Sequence, residues 1–193
     1  MSVAGEIYRL KVTLLHCRPP IWREIEATSN MTLARLHGVM QVLMGWDDCH
    51  LWAFEVGDKR FELPDPDVKM QLATGHDPHQ VNLRSLFAGK GAGLRYNYDF
   101  GDDWWLEVKV LAVGKPQPKV RYPRCLSGER AGPPEDCGGP PGFQSLLAAR
   151  KNPGSKHAQE LLEWVGSDWD PEALDLAVVN KALAALPAPR RMH

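Results

Sequence analysis

The chain has 193 residues, of which 44% are hydrophobic, and a formal net charge of −1. This length and apolar content can support one sizeable core, so we expect a single domain spanning residues 1–193. The near-neutral charge argues against a nucleic-acid partner, because phosphate contacts need an excess of lysine and arginine. No apolar run approaches the roughly 20 residues of a membrane span, and the first residues lack a secretory pattern, so we expect a cytoplasmic protein without membrane contact.

The first third of the chain combines strand patterns with one amphipathic helix. Period-two alternation predicts strands over residues 7–15 and 21–26, which are separated by Pro19 and Pro20. Spacings of three and four residues then predict a helix that ends at Gly45. Its apolar face would carry Leu33, Leu36, Val39, Met40 and Leu43.

The remaining patterns place further strands before a helical C-terminal part. Strands are predicted over residues 51–56, 61–63, 94–100 and 104–113, with a polar loop over 64–79 and a short helical turn over 83–87. The stretch 115–142 is rich in proline and glycine, so we expect a loop without regular structure there. Helices are predicted over 143–150, 157–165 and 171–186, within a helical part spanning 143–186. Strands followed by helices indicate an α+β fold, with the first helix packed on the sheet.

The turn over residues 99–105 is the first candidate site. It would hold three carboxylates close together, and these repel one another unless cations, water or hydrogen-bond donors accept them. The strand alternation also prevents both adjacent tryptophans from facing inward, so at least one should line a surface suited to recognition. The residues concerned are Asp99, Asp102, Asp103, Trp104 and Trp105.

The loop over residues 122–142 is the second candidate site. Cys125 and Cys137, together with Glu135 or Asp136, offer ligand types that Zn²⁺ accepts. Their spacing is not that of a zinc finger, so we favour a rigid loop that caps the following helices and expect no metal and no other cofactor. Arg130 in this loop is a candidate partner for the acids of the turn.

His50 belongs with these two segments, because it follows Asp47 and Asp48 at the start of a predicted strand. It could act as a proton carrier beside the acids, or it could be hydrogen-bonded at a strand end, which is the interpretation we favour. We predict that the functional surface lies where the 99–105 turn meets the 124–139 loop.

Four ordered motifs carry a family resemblance. They are IYRLKVTLL with PPIWREIE, then LARLHGVMQVLMGWDDCHLWAFEV, then YDFGDDWWLEV, and finally YPRCLSGERAGPPEDCGG. Together they resemble the plasmid ORF-three-like family, which is named after a reading frame on a root-inducing plasmid. The resemblance implies a compact α+β domain with a curved, mostly antiparallel sheet, and it implies no established reaction.

Two details of the resemblance bear on chemistry. Some members carry a TnpR-like transposon-resolvase label, but neither Ser2 nor Ser29 is placed as a recombinase nucleophile and no tyrosine has the required arginine and histidine neighbours. The chain also departs from the family pattern at Trp52, Leu106 and Gly132, where relatives carry histidine, histidine and cysteine. These departures remove potential metal ligands.

The expected function is therefore a non-enzymatic binding or protein-interaction module, whose partner is an unknown protein, peptide or small ligand. The alternative is a hydrolase that uses the Asp/Glu cluster, with or without a metal. The usual nucleophile, phosphate-loop and zinc-protease motifs are missing, which favours the module. A third hypothesis is a nucleic-acid role linked to mobile elements.

Overall fold

The computed structural model describes residues 5–63 and 76–187, and most of the predicted polar loop over 64–79 lies outside these ranges. The described chain forms one seven-stranded antiparallel sheet and five helices, so the predicted α+β class with an antiparallel sheet is confirmed. Among the residues described, no helix is both long and apolar enough to cross a bilayer.

The sheet has the strand order β4-β3-β5-β6-β1-β2-β7, and every neighbouring pair is antiparallel. Alternation of the side chains gives it one apolar face and one polar face, as expected for a sheet covered on one side. The strands are β1 Ile7–Leu14, β2 Ile21–Thr28, β3 Trp52–Val56, β4 Lys59–Glu62, β5 Gly93–Tyr98, β6 Trp104–Gly114 and β7 Arg124–Glu129.

The first helix, α1 (Leu33–Met44), contributes the central layer of the core. The Thr32 side chain accepts a hydrogen bond from the backbone N–H of Arg35 at its start, and Gly45 ends it with a left-handed φ of 76°. The predicted apolar face is confirmed, because its members are all almost completely buried: Leu33, Leu36, Val39, Met40 and Leu43.

The prediction that residues 115–142 lack regular structure is wrong at two places. Strand β7 runs through the middle of this stretch and pairs with β2. Helix α3 (Gly139–Lys151) begins before its end, with Pro140 and Pro141 in its first turn. Prolines fit there because the first helical positions need no N–H donor. The other helices are α2 Leu83–Leu86, α4 Lys156–Val165 and α5 Leu176–Ala185.

Strand β7 lies at the edge of the sheet, and α5 protects that edge. The Asn180 side chain accepts a hydrogen bond from the Cys125 backbone N–H and donates one to the Cys125 carbonyl oxygen, at 2.8 and 2.9 Å. The amide thus replaces a neighbouring strand at this residue, which blunts an edge that would otherwise be open to pairing.

Candidate functional site

His50 lies at the end of the sheet where the β5–β6 turn meets the loop that precedes α3. Its Nε2 atom is 3.0 Å from Asp136 Oδ1, 3.7 Å from Asp99 Oδ2 and 3.9 Å from Glu135 Oε2. We call these four residues the acidic corner. The predicted meeting of the turn and the loop is therefore confirmed, whereas a functional role for them stays a prediction.

Two of the carboxylates each accept hydrogen bonds through one of their two oxygens. Asp99 Oδ1 accepts a hydrogen bond from the Gly101 N–H at 2.9 Å, in a turn where Asp99 itself has a left-handed φ of 53°. Glu135 Oε1 accepts two, from the Tyr98 hydroxyl at 2.9 Å and from the Asp47 N–H at 2.8 Å. In both residues the other oxygen is the one nearer His50, so the carboxylates are fixed in orientation and leave one acceptor each for the corner.

Two atoms of the acidic corner are buried without a hydrogen-bond partner. They are His50 Nε2 and Glu135 Oε2, both shielded from solvent. The 3.0 Å approach of Nε2 to Asp136 Oδ1 satisfies an ion-pair distance, but its direction does not make a hydrogen bond. Buried polar atoms normally have a hydrogen-bond partner, so these two unpartnered atoms require an explanation.

Tyr98 orients Glu135 in the acidic corner by donating a hydrogen bond to it. Burial raises the pKa of the Tyr98 hydroxyl well above its ordinary value, and its hydrogen bond to Glu135 raises the pKa further. The tyrosine is thus a neutral donor to the Glu135 carboxylate. Its hydroxyl oxygen also accepts a hydrogen bond from the Cys49 N–H at 3.2 Å. Sequence reasoning missed Tyr98, although its position directly before Asp99 and on the apolar face of β5 pointed to the same sheet end.

The corner contains two sets of potential metal ligands that share His50. One set is Cys49, His50 and Glu135, and the other is His50, Asp99 and Asp136, with the ligand atoms of each set within 4.8 Å of one another. Nitrogen, thiolate and carboxylate donors are the types that zinc accepts. Cys49, which is exposed, was not among the residues selected from the sequence.

The other acids of the turn point elsewhere, so the prediction of one three-carboxylate cluster is corrected. Asp102 Oδ2 accepts a hydrogen bond from the Gly138 N–H at 3.1 Å, where it caps the start of α3. Asp103 Oδ1 accepts hydrogen bonds from Asn97 Nδ2 and Trp105 Nε1, at 3.1 and 2.7 Å. The divergence relieves the repulsion that the sequence implied.

The two tryptophans of the turn also separate. Trp104 is fully buried against Trp46, so it cannot present its ring to a surface ligand and is corrected to a core residue. Trp105 is half-buried and has the parity of Glu107 and Lys109, which places it on the polar face of the sheet. The expectation that at least one ring reaches a surface is met by Trp105, but on the face opposite Trp104.

Arginine does not neutralise the acids of the turn, so the candidate pairing of these acids with Arg130 is corrected. Arg130 contacts Glu129 and Glu172 at 3.0 and 3.2 Å, and Arg124 contacts Glu26 at 2.7 Å. Within residues 5–63 and 76–187 no lysine or arginine forms an ion pair with Asp99, Glu135 or Asp136. Arg130 therefore lies outside the acidic corner.

The structure does not bring Cys125 and Cys137 into one ligand set. Cys125 lies on β7 beside α5, and its thiol donates to the Ser127 carbonyl oxygen at 3.5 Å. Cys137 precedes α3, where burial raises the pKa of its thiol to about 12. The cysteine pair is therefore no metal site among the described residues.

Each of the three departures from the family pattern is accommodated by local packing. Trp52 stacks on the His37 ring at 4.1 Å, and Leu106 is fully buried in the core. At Gly132 an added Cβ would lie 2.0 Å from the Met44 carbonyl oxygen. The backbone packs so closely there that the chain requires glycine.

A groove of about 320 Å³ lies on the polar face of the sheet, away from the acidic corner. Its charged residues compensate one another: Arg95 stands between Glu55 and Glu107 in the strand register, and Lys109 contacts Glu107 at 2.8 Å. The groove therefore lacks the unpaired charge and the unpartnered buried atoms that distinguish the corner.

The comparisons with known proteins identify the family. The chain matches the description "Plasmid pRiA4b ORF-3-like protein" over residues 6–178. The chain belongs to this family. The uncharacterized protein y4hQ from Sinorhizobium fredii (strain NBRC 101917 / NGR234) is 36% identical over 189 residues, which cover 96% of this chain and 95% of the relative.

A solved structure supports the fold of this ORF-3-like protein. The crystal structure of the protein of unknown function MM3350 from Methanosarcina mazei Go1 matches it with a TM-score of 0.81 and 30% identity, covering 90% of this chain and 97% of that chain. The expected family is thus confirmed. The name of neither protein states a ligand or a reaction.

Proposed function

We propose that this ORF-3-like protein is a non-enzymatic binding module that recognises a positively charged ligand at the acidic corner. The observation that carries the proposal is that Asp99, Glu135 and Asp136 converge on His50 while no described lysine or arginine pairs with them. Carboxylates gathered without counter-ions attract a cation, because each oxygen gains an interaction that the protein does not supply.

The proposed ligand class also agrees with the rest of the chain. A phosphate backbone would be repelled by three acids, which favours a metal ion or a basic group over a nucleic acid and leaves the mobile-element hypothesis without support from this site. Four free cysteines fit the reducing cytoplasm, which we retain as the proposed location.

A thermal-shift panel tests the proposal. The probes are Zn²⁺, Mn²⁺, Ca²⁺, spermidine and a tri-arginine peptide, with a tri-glutamate peptide as the anionic control. A cation present at about 100 times its Kd should raise Tm by roughly 5 to 10 °C. The Asp99→Asn variant should lose this shift, because asparagine keeps the left-handed backbone and the Gly101 contact but removes the charge.

The matched control is Asp103→Asn, which removes the same charge from the same turn. Asp103 also has a left-handed φ, of 56°, but its carboxylate contacts Asn97 and Trp105 and not His50. This variant should keep the shift. If no cation of the panel raises Tm in an Asp99-dependent manner, the proposed function is wrong.

A metal-assisted hydrolase is the second candidate, and one observation favours it. The His50, Asp99 and Asp136 set offers three ligand atoms, and catalytic zinc sites combine three protein ligands with an open position for water. A p-nitrophenyl ester assay with Zn²⁺ present separates the candidates. Turnover that Asp99→Asn abolishes and Asp103→Asn preserves would favour the enzyme, whereas equal rates in all three proteins favour the module.

A further inference from the structure

The geometry points to a divalent transition metal of the zinc class as the ligand of the acidic corner. We infer that His50 Nε2, Asp99 Oδ2 and Asp136 Oδ1 bind it, because the ligand atoms of these three residues lie within 4.8 Å of one another. The inference rests on the proposed function, because it names the cation that the corner takes.

The spacing of the donor atoms carries the first step. Nε2 lies 3.0, 3.7 and 3.9 Å from the three carboxylate oxygens. Two ligands bound to zinc at about 2.1 Å with a tetrahedral angle between them are about 3.4 Å apart, which falls inside this range. The His50 distances therefore differ from this separation by only a few tenths of an ångström, and the ligand atoms of His50, Asp99 and Asp136 all lie within 4.8 Å of one another.

The second, independent observation is that His50 Nε2 is shielded from solvent and forms no hydrogen bond within the described chain. Asp99 is already oriented toward this atom, because its Oδ1 accepts the Gly101 N–H and its Oδ2 is left for a ligand. Metal sites use such outer hydrogen bonds to orient their ligands.

The mixture of donors decides the class of ion. An imidazole nitrogen suits zinc and its first-row neighbours, whereas Ca²⁺ and Mg²⁺ prefer sets made of oxygen alone. We therefore expect Zn²⁺, and more weakly Mn²⁺, to bind in preference to Ca²⁺. The three ligands come from separate segments: the loop before β3, the β5–β6 turn and the loop before α3.

Calorimetric titration of tag-free, EDTA-treated full chain with Zn²⁺ tests the inference. We expect one equivalent to bind, and His50→Ala, Asp99→Asn and Asp136→Asn each to weaken binding by about tenfold or more. Asp103→Asn should change the affinity by less than about threefold, since it only removes a nearby screened charge. Melting curves without metal establish that each variant is folded before it is titrated.

The Cys49→Ser variant separates the two ligand sets. Unchanged affinity supports the carboxylate set, whereas loss of zinc in Cys49→Ser with retention in Asp99→Asn overturns it. The thermal-shift panel distinguishes the two levels of the argument: if only spermidine or the tri-arginine peptide gives an Asp99-dependent shift, the metal inference fails and the proposed function stands. If no cation does so, both fail.

Discussion

Replacing Arg23 by methionine should destabilise the protein, because this arginine joins three segments through their carbonyl groups. Arg23 is charged, yet β2 places it on the apolar face of the sheet, where it is only 1% exposed. The guanidinium donates to the carbonyl oxygens of Leu43, Trp22 and Glu129 at 3.1, 2.8 and 2.8 Å, and also to that of Arg130. It thereby ties the end of α1 to β2 and to the end of β7.

The magnitude follows from two opposing effects. A buried acceptor that loses its donor costs about 1 to 3 kcal/mol, and four carbonyls are affected. Against this, methionine removes a costly buried charge: burial lowers the pKa of Arg23 to about 10, which corresponds to roughly 3 kcal/mol of unfavourable solvation at most. Methionine retains the aliphatic packing, so subtracting the second effect from the first leaves a net loss of about 1 to 9 kcal/mol.

Urea denaturation followed by tryptophan fluorescence measures this loss. Arg9→Met is the matched control, since Arg9 is half-exposed on the polar face and pairs with Glu24, so its removal should cost less than about 1 kcal/mol. An Arg23→Met protein that loses less than about 1 kcal/mol, or becomes more stable, would refute the reasoning: the carbonyls would then find other donors, or the buried charge would dominate.

Three further predictions concern the core, the thiols and pH. Leu36→Ala should lower the free energy of unfolding by about 2 to 5 kcal/mol in urea melts, since Leu36 is fully buried, and a loss under about 1 kcal/mol would contradict this packing. Ellman titration without denaturant should find one fast thiol, the exposed Cys49, because the other cysteines are wholly or partly buried, and a second fast thiol would contradict that burial. Burial lowers the pKa of His37, so the unfolded chain binds the extra proton first. The free energy of unfolding should therefore fall as pH drops below about 6.5, by at most about 1.4 kcal/mol per pH unit. Urea melts across this pH range should show a smaller fall in a His37→Gln variant, and an equal fall would contradict the assignment to His37.

The fold was predictable where one local period dominates a segment. Alternation in β1 and β6, and the three-and-four spacing in α1, reflect one-sided burial, which the sequence records directly. Strand β7 has no such alternation, because only Cys125 of its sequence RCLSGE is buried. Its pairing depends instead on backbone hydrogen bonds and on the side-chain amide of Asn180. Non-local contacts of this kind leave no local pattern.

Helix α3 was recognised only in part for a related reason. Its first residues, GPPG, resemble a loop in composition, yet prolines at the first helical positions and glycines in close contacts serve a helix start. A Cβ at Gly139 would lie 2.3 Å from the Asp102 carbonyl oxygen, and one at Gly142 would lie 1.8 Å from that of Cys137. These glycines allow the turn and the loop to pack closely together. Amino-acid composition alone does not distinguish glycines needed for close packing from glycines in a flexible loop.

The site was predictable as a place but not as an arrangement. Strand ends and loop acids located the meeting of the turn and the loop, whereas the direction of each carboxylate depends on left-handed backbone at Asp99, Asp103 and Asp136. The parity of β6 did contain the correct assignment for Trp104, which shares a face with Leu106 and Val108.

The two histidines of the α1–β3 region differ in how far the protein satisfies their ring nitrogens, and this difference favours the acidic corner over the neighbouring core as the proposed ligand site. The Tyr96 hydroxyl donates to His37 Nδ1 at 2.6 Å, and since a carboxylate only accepts, Nε2 donates to Asp48 Oδ1 at 2.7 Å. Both nitrogens of His37 are thus satisfied within the protein, and the network fixes the turn that leads to His50. The Nε2 atom of His50 is also shielded from solvent, but it has three carboxylate oxygens around it and no hydrogen bond. The acidic corner thus differs from the His37 network in leaving a shielded nitrogen among three carboxylates, which is the position that we propose a cation occupies.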